Sequence, residues 1–131
     1  MFEGKMNVLI NKSDRYYESA LADIDRGSYD RAVSTLYYSV FYLVNAIMVN
    51  RGVVGNKHTF VRTFVNKVMF KEGQEISAGL AQMYNRAYML RDLADYSFDT
   101  PIPVTFEDAI EIAEFVPRFK DAVLKILQGS G

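Results

Sequence analysis

Cysteine and tryptophan are absent from this 131-residue chain, histidine occurs once and proline three times. Without cysteine there is no disulfide, no thiolate nucleophile and no cysteine-ligated zinc, which suits a reducing compartment; a cytoplasmic location is expected. One histidine does not build a usual zinc site. No EF-hand loop, phosphate-binding glycine loop or Glu-x-x-His pair of a di-iron bundle occurs either, so neither metal nor cofactor is expected. Uninterrupted apolar runs of the ~20 residues that span a bilayer are missing. The nearest approach, "AVSTLYYSVFYLVNAIMV", is broken by Ser, Thr, Tyr and Asn and flanked by Arg31 and Arg51, so it reads as a buried helix. The opening "MFEGKMNVLINKSD" does not follow a positive segment with an apolar stretch, as a signal peptide would.

What is present is the composition of a folded globule: half the residues are apolar and 24% are charged. The length suits one domain over residues 1–131, and no repeat or linker divides it. Net charge is −1, so no global field draws the chain to nucleic acid. The charges are nonetheless unevenly placed. Arg51 to Lys71 holds five Lys or Arg and no acid, whereas Asp92 to Glu114 holds seven acids and no Lys or Arg. Such asymmetry suits an anion-binding face beside an acidic one, or two subunits docking reciprocally, or simply two solvated helix surfaces.

Gly27, Gly52, Gly55, Gly73 and the "DTPIP" stretch punctuate about five segments. The first, Met6 to Arg26, places Leu9, Tyr16, Ala20 and Ile24 among charges, and Gly27 stands where a left-handed helix stop belongs. Ser28 is expected to cap the next helix through its hydroxyl, with Asp30 at the positive end of the dipole. That helix, Tyr29 to Asn50, carries Ala32, Val33, Leu36, Tyr37, Val40, Phe41, Val44, Ile47 and Met48 at i, i+3, i+4 spacing, and its other face is almost uncharged. It should therefore be central. "NKHTFVRTFVNKVMF" is shorter and amphipathic, with Phe60, Phe64 and Val68 inward. Glu75 to Asp95 forms a further helix with Leu80, Met83, Tyr84, Ala87 and Leu90 inward. "SFDTPIP" is expected to be a loop. Thr105 and Asp108 resemble a capping box opening the last helix, to about Leu127, which Pro117 should kink or split. Strand signals are nearly absent. The expected fold is all-α: an antiparallel bundle of four long helices and one short one.

The chemistry-bearing residues gather in a few places. "LRDLADY", Leu90 to Tyr96, sits near the end of a helix. Arg91 and Asp95 are i and i+4, and the plain reading is a surface ion pair worth a few tenths of a kcal/mol. The functional reading has Arg91 present its planar fork to a phosphate, Asp95 orient it, and Tyr96 supply a hydroxyl or a stacking ring. Arg86 lies about 140° around the axis from Arg91 and need not share its face. His58 follows Lys57 at a helix start, either as a surface capping residue or as part of an anion-binding rim. Of Tyr37 and Tyr38, one ring should face the core and the other line a groove between helices.

The stretches "GSYDRAVSTLYYSVFYLVNAIMVNRG", "NKHTFVRTFV", "KEG" and "RAYMLRDLADYSFD" together resemble the HEPN domain (higher eukaryotes and prokaryotes nucleotide-binding), nearest its small stand-alone prokaryotic members. The resemblance covers about Tyr16 to Leu127. It implies a bundle of four or five antiparallel helices and often a homodimer. It also implies a nucleotidyltransferase partner and a role in toxin–antitoxin or defence systems. In the ribonucleases of that family an arginine and a histidine four to six residues further on form the active site. Arg91 matches the arginine, and Asp92 stands where a polar residue follows it. The histidine is missing, with Asp95 and Tyr96 in its place. Unperturbed carboxylates titrate near 4 and tyrosines near 10, so neither replaces it readily in acid–base cleavage.

The expectation is thus a HEPN-like homodimer that binds a nucleotide or RNA phosphate without cleaving it, beside a nucleotidyltransferase-like partner and away from membranes. Arg91, Asp95, Tyr96, Lys57, His58, Tyr37 and Tyr38 form the expected binding site, and no catalytic residue is assigned. Two alternatives stand beside it. One is a metal-independent ribonuclease in which His58 or Tyr96 shuttles protons. The other is a ligand-free interaction module that uses "RDLADY" to close an interface.

Overall fold

The structure, a computed structural model, describes residues 3–96 and 103–129, with the side chain of Tyr96 outside it. Five helices follow one another: α1 Glu3–Asp25, α2 Tyr29–Asn50, α3 His58–Thr63, α4 Ala78–Tyr96 and α5 Phe106–Gly129. α3 runs directly into a π-helical segment, Phe64–Glu72. The described residues contain no strand, and the fold is the expected all-α bundle of four long helices and one short one.

α2 is the centre, as its apolar spacing demands. It packs against α1, α3, α4 and α5, and 12 of its 22 residues are buried. All nine expected inward residues of α2 are among them. At roughly 1.5–3 kcal/mol for each large apolar side chain removed from water, this one helix carries much of the core. It is also, among the described residues, the helix long and apolar enough to cross a membrane, but two-thirds of that stretch is enclosed by its neighbours.

The helix ends show which local signals the chain obeys. Gly27 adopts φ +79°, donates to the Ile24 carbonyl, and Ser28 donates to the Asp23 carbonyl, which together make a Schellman stop for α1. Ser28 does not cap α2 through its hydroxyl, contrary to expectation. Its backbone is tied into that stop, away from the β region, and only its carbonyl serves the helix, accepting from Ala32 at 3.0 Å. α4 starts later than expected, at Ala78, where the Ser77 hydroxyl accepts from the Leu80 amide. The capping box at α5 is present in full: Thr105 Oγ1 accepts from the Asp108 amide and Asp108 Oδ2 from the Thr105 amide, each at 3.1 Å.

Three sequence expectations fail or change. Pro117 does not split α5, which stays one helix through Gly129. Buried Phe115, Val116 and Phe119 on either side anchor it against α2 and α4 while the ring faces outward. Phe60 is 44% exposed rather than inward, since Val61, Phe64, Val65 and Met69 fill the core side of this region. The π-helical segment was not anticipated. Its i→i+5 bonding continues into Gly73, whose amide donates to the Val68 carbonyl at 2.8 Å. A Cβ at Gly73 would stand 2.7 Å from that same oxygen, so glycine is required for the closing turn. The loop expected over 97–103 lies almost wholly outside the described residues.

Candidate functional site

Where α2, the start of α3 and the end of α4 meet, the chain assembles a polar cluster in an aromatic wall. On α2, Ser34, Tyr37, Tyr38 and Phe41 follow i, i+3, i+4, i+7 spacing and therefore share a face. Tyr37 is fully buried and Tyr38 half-buried, the division between core and groove expected of the pair. His58 enters as the first residue of α3 and turns inward. Tyr37 Oη lies 3.0 Å from its Nδ1 and Tyr38 Oη 3.3 Å from its Nε2, with the Phe41 ring centroid 4.8 Å away. The surface-cap reading of His58 is thereby corrected: both ring nitrogens have tyrosine hydroxyl partners inside the bundle.

Arg91 comes from α4 and is only 5% exposed. Its guanidinium carbon stands 5.5 Å from the Tyr37 centroid and 5.8 Å from that of Tyr38, within cation–π reach. Nη1 lies 3.0 Å from Asp92 and Nε 3.3 Å from Asp95. Asp95 in turn accepts from the Ser34 hydroxyl at 3.1 Å, so the carboxylate holds Arg91 and ties α4 to α2. The expected Arg91–Asp95 pair exists, but it is not a surface pair. Burying the arginine is tolerable because two carboxylates and two ring faces replace its water. Arg86, as expected, uses another face, where it pairs with Asp108 and Glu111 of α5.

Proton affinities in the cluster are displaced. Burial, reinforced by the Arg91 charge, lowers the His58 pKa below its ordinary value, and Asp92 and Asp95 oppose the shift. The imidazole is thus neutral near neutral pH: one nitrogen donates to a tyrosine oxygen and the other accepts from a tyrosine hydroxyl. Burial pushes the Tyr37 hydroxyl far up, and the nearby Arg91 charge only partly offsets it, so it stays a phenol. The arrangement can accept a proton at His58, relay it through a phenol and balance developing negative charge with a guanidinium. Among the described residues, no three His, Cys, Asp or Glu side chains gather as a metal-binding group.

Of the expected site residues, Tyr37, Tyr38, His58, Arg91 and Asp95 come together. Lys57 is exposed at the start of α3, one residue before His58. The side chain of Tyr96 lies outside the described residues. Ser34, Phe41 and Tyr88 were missed, and Asp92 was noted only as the polar residue after the arginine. Helical spacing would have found all three: Ser34 and Phe41 from Tyr37, and Tyr88, whose ring meets Tyr37 at 5.8 Å, from Arg91.

Comparison with known proteins agrees with this architecture. A family model described as "HEPN domain" matches residues 6–127. A protein of Methanocaldococcus jannaschii named "Putative toxin MJ0142" is 32% identical over 108 residues, which covers 82% of this chain and 71% of that protein. A "UPF0332 protein" of Thermotoga maritima is 29% identical over 100 residues, covering 74% of this chain and 71% of that protein. The match spans all five helices and the whole of the Tyr37–His58–Arg91 cluster, and this chain belongs to the HEPN family.

Proposed function

We propose that this HEPN protein acts on RNA in the manner of a toxin, cleaving the strand at the His58–Arg91 cluster without a metal. The observation that carries the reading is the position of His58. Helix α4 lacks a histidine after Arg91, and α3 supplies one from another part of the chain, held by Tyr37 and Tyr38 beside the arginine. The relative named a toxin supports the biological role. A homodimer and a nucleotidyltransferase-like partner, implied by the family resemblance, belong to the same proposal.

The chemistry follows from the groups present. His58, neutral at neutral pH, takes the proton of a ribose 2′-hydroxyl. The 2′-oxygen bonds to phosphorus while the P–O5′ bond breaks, and the departing oxygen takes a proton from the Tyr38 hydroxyl. Protonated His58 then returns its proton to Tyr38. The products are a 2′,3′-cyclic phosphate and a 5′-hydroxyl, with no net proton or electron left over. Arg91 offsets charge that builds on the phosphoryl oxygens.

The test is cleavage of labelled RNA in EDTA by the wild type, His58→Gln and Arg91→Lys. Cyclic-phosphate products lost in both variants are expected; cleavage that persists in both comes from a contaminant and overturns the reading. A second reading, binding without cleavage, has its own support. Arg91 is buried against two carboxylates, and tyrosine hydroxyls occupy both nitrogens of His58. It predicts Arg91-dependent binding with no product.

A further inference from the structure

The His58–Arg91 cluster sets one cation against two carboxylates, so on its own it does not attract a polyanion. Positive charge lies next to it. Arg62, Lys67 and Lys71 line an open groove of about 650 Å3, together with Thr59, Asn66 and Asn85 and with Glu72 as its acid. None of the three cations forms an ion pair among the described residues, whereas Arg51, from the same basic segment, is paired with Glu75. Lys67 and Lys71 stand on the π-helical segment and Arg62 just before it on α3, and all three line the same groove.

The groove is built rather than merely charged. The Arg62 guanidinium carbon stands 4.7 Å from the Tyr88 ring centroid, and its Nε donates to Asn85 Oδ1 at 3.1 Å. The Asn66 and Asn85 side-chain amides exchange two hydrogen bonds of 2.9 Å. The groove lies beside the cluster: Thr59 follows His58 in the chain, and the Tyr88 ring that carries Arg62 contacts Tyr37.

We infer that this groove is the track for the phosphate backbone of single-stranded RNA, delivering the strand to His58; the inference rests on the RNA reading above. A row of separate cations without carboxylate partners matches a chain of regularly spaced phosphates. An acidic protein surface, such as that of a second copy, is the competing occupant.

The experiment measures binding of a fluorescent 2′-O-methyl oligouridine, which lacks the attacking hydroxyl, by anisotropy across a salt series. The wild-type chain is compared with Lys67→Gln/Lys71→Gln and with Lys5→Gln/Lys125→Gln, which removes the same charge from exposed positions elsewhere. Three phosphate contacts give a log–log salt slope of about −2, and the groove variant should fall to about −0.7 with at least roughly tenfold weaker binding. The control should keep the wild-type slope. Equal losses in both variants, or none in either, overturn the proposal. So does a groove variant that binds RNA normally but dissociates a dimer in sedimentation, which would give the groove to a second copy. Groove-dependent binding by a wild type that yields no cleavage product upholds the track and removes the catalytic reading. Cleavage dependent on His58 but indifferent to the groove variant does the reverse.

Discussion

The Tyr37 hydroxyl and His58 Nδ1 lie 3.0 Å apart, and this contact, together with that of Tyr38 to Nε2, joins the central helix to the only histidine of the chain. Tyr37 is fully buried, so its hydroxyl has no ready access to solvent. Tyr37→Phe keeps the ring packing but leaves a partly buried ring nitrogen without that partner. The expected cost is about 1–2 kcal/mol, read as a lower midpoint in urea unfolding at unchanged slope. On the ribonuclease proposal RNA cleavage should fall as well, because the imidazole loses the bond that orients it. An unchanged midpoint would mean that the hydroxyl and the nitrogen are not bonded in solution.

Arg91 should matter for stability as well as for the site. Removing it leaves Asp92 and Asp95 near each other without their cation, and takes a charged group from the faces of Tyr37 and Tyr38. Breaking a fully buried pair costs 3–5 kcal/mol, but these carboxylates are 47% and 31% exposed, so about 2 kcal/mol is expected for Arg91→Ala. In a chain of this length that is a fall of roughly 8 °C in Tm by calorimetry. Arg91→Lys should restore part of the stability through its charge but not the two-carboxylate fork. A Tm for Arg91→Ala equal to that of the wild type would place Arg91 outside the bundle.

Most of the architecture was legible because it is written in local spacing. α2 announces its central place by apolar residues on nearly every side. Gly27 and the Thr105–Asp108 pair mark their helix ends with side chains only a few residues apart. The site was legible as residues, not as an arrangement. His58 finds its partners 20 and 21 positions back in the chain, and only the packing of α3 on α2 decides whether it faces them or water. The burial of Arg91 is equally non-local, since the same i,i+4 pair with Asp95 would look identical on an exposed face. The π-helical segment left no signal, because the backbone widening rests on tertiary fit and on the tight turn at Gly73.

The capping box at α5 offers a clean energetic test away from the site. Thr105 is exposed, and its hydroxyl serves the Asp108 amide. Thr105→Ala should cost about 1 kcal/mol, lowering Tm by about 4 °C, and should leave the proposed RNA binding and cleavage untouched. Thr105→Ser should recover most of the loss. A cost well under half that size would mean that water replaces the cap freely.

Because the chain has one histidine, its titration can be read from a single imidazole resonance by NMR. Burial and the Arg91 charge lower the His58 pKa, while Asp92 and Asp95 raise it. Asp95→Asn should therefore move the titration to still lower pH, and Arg91→Gln should move it up. Stability follows with a definite sign. In the unfolded chain His58 titrates near 6.5, and in the folded chain lower, so between the two values the unfolded state binds more protons. The contribution of His58 is complete above about pH 6.5 and is lost as pH falls from there toward the folded value, with a limiting slope of about 1.4 kcal/mol per pH unit. Asp95→Asn widens that window, Arg91→Gln narrows it, and His58→Gln abolishes it. Urea unfolding from about pH 5 to about pH 8 reads the slope in each variant. A pKa left unchanged in Asp95→Asn would mean that the imidazole does not sense this carboxylate, and the His58–Arg91 cluster would lose its electrostatic basis.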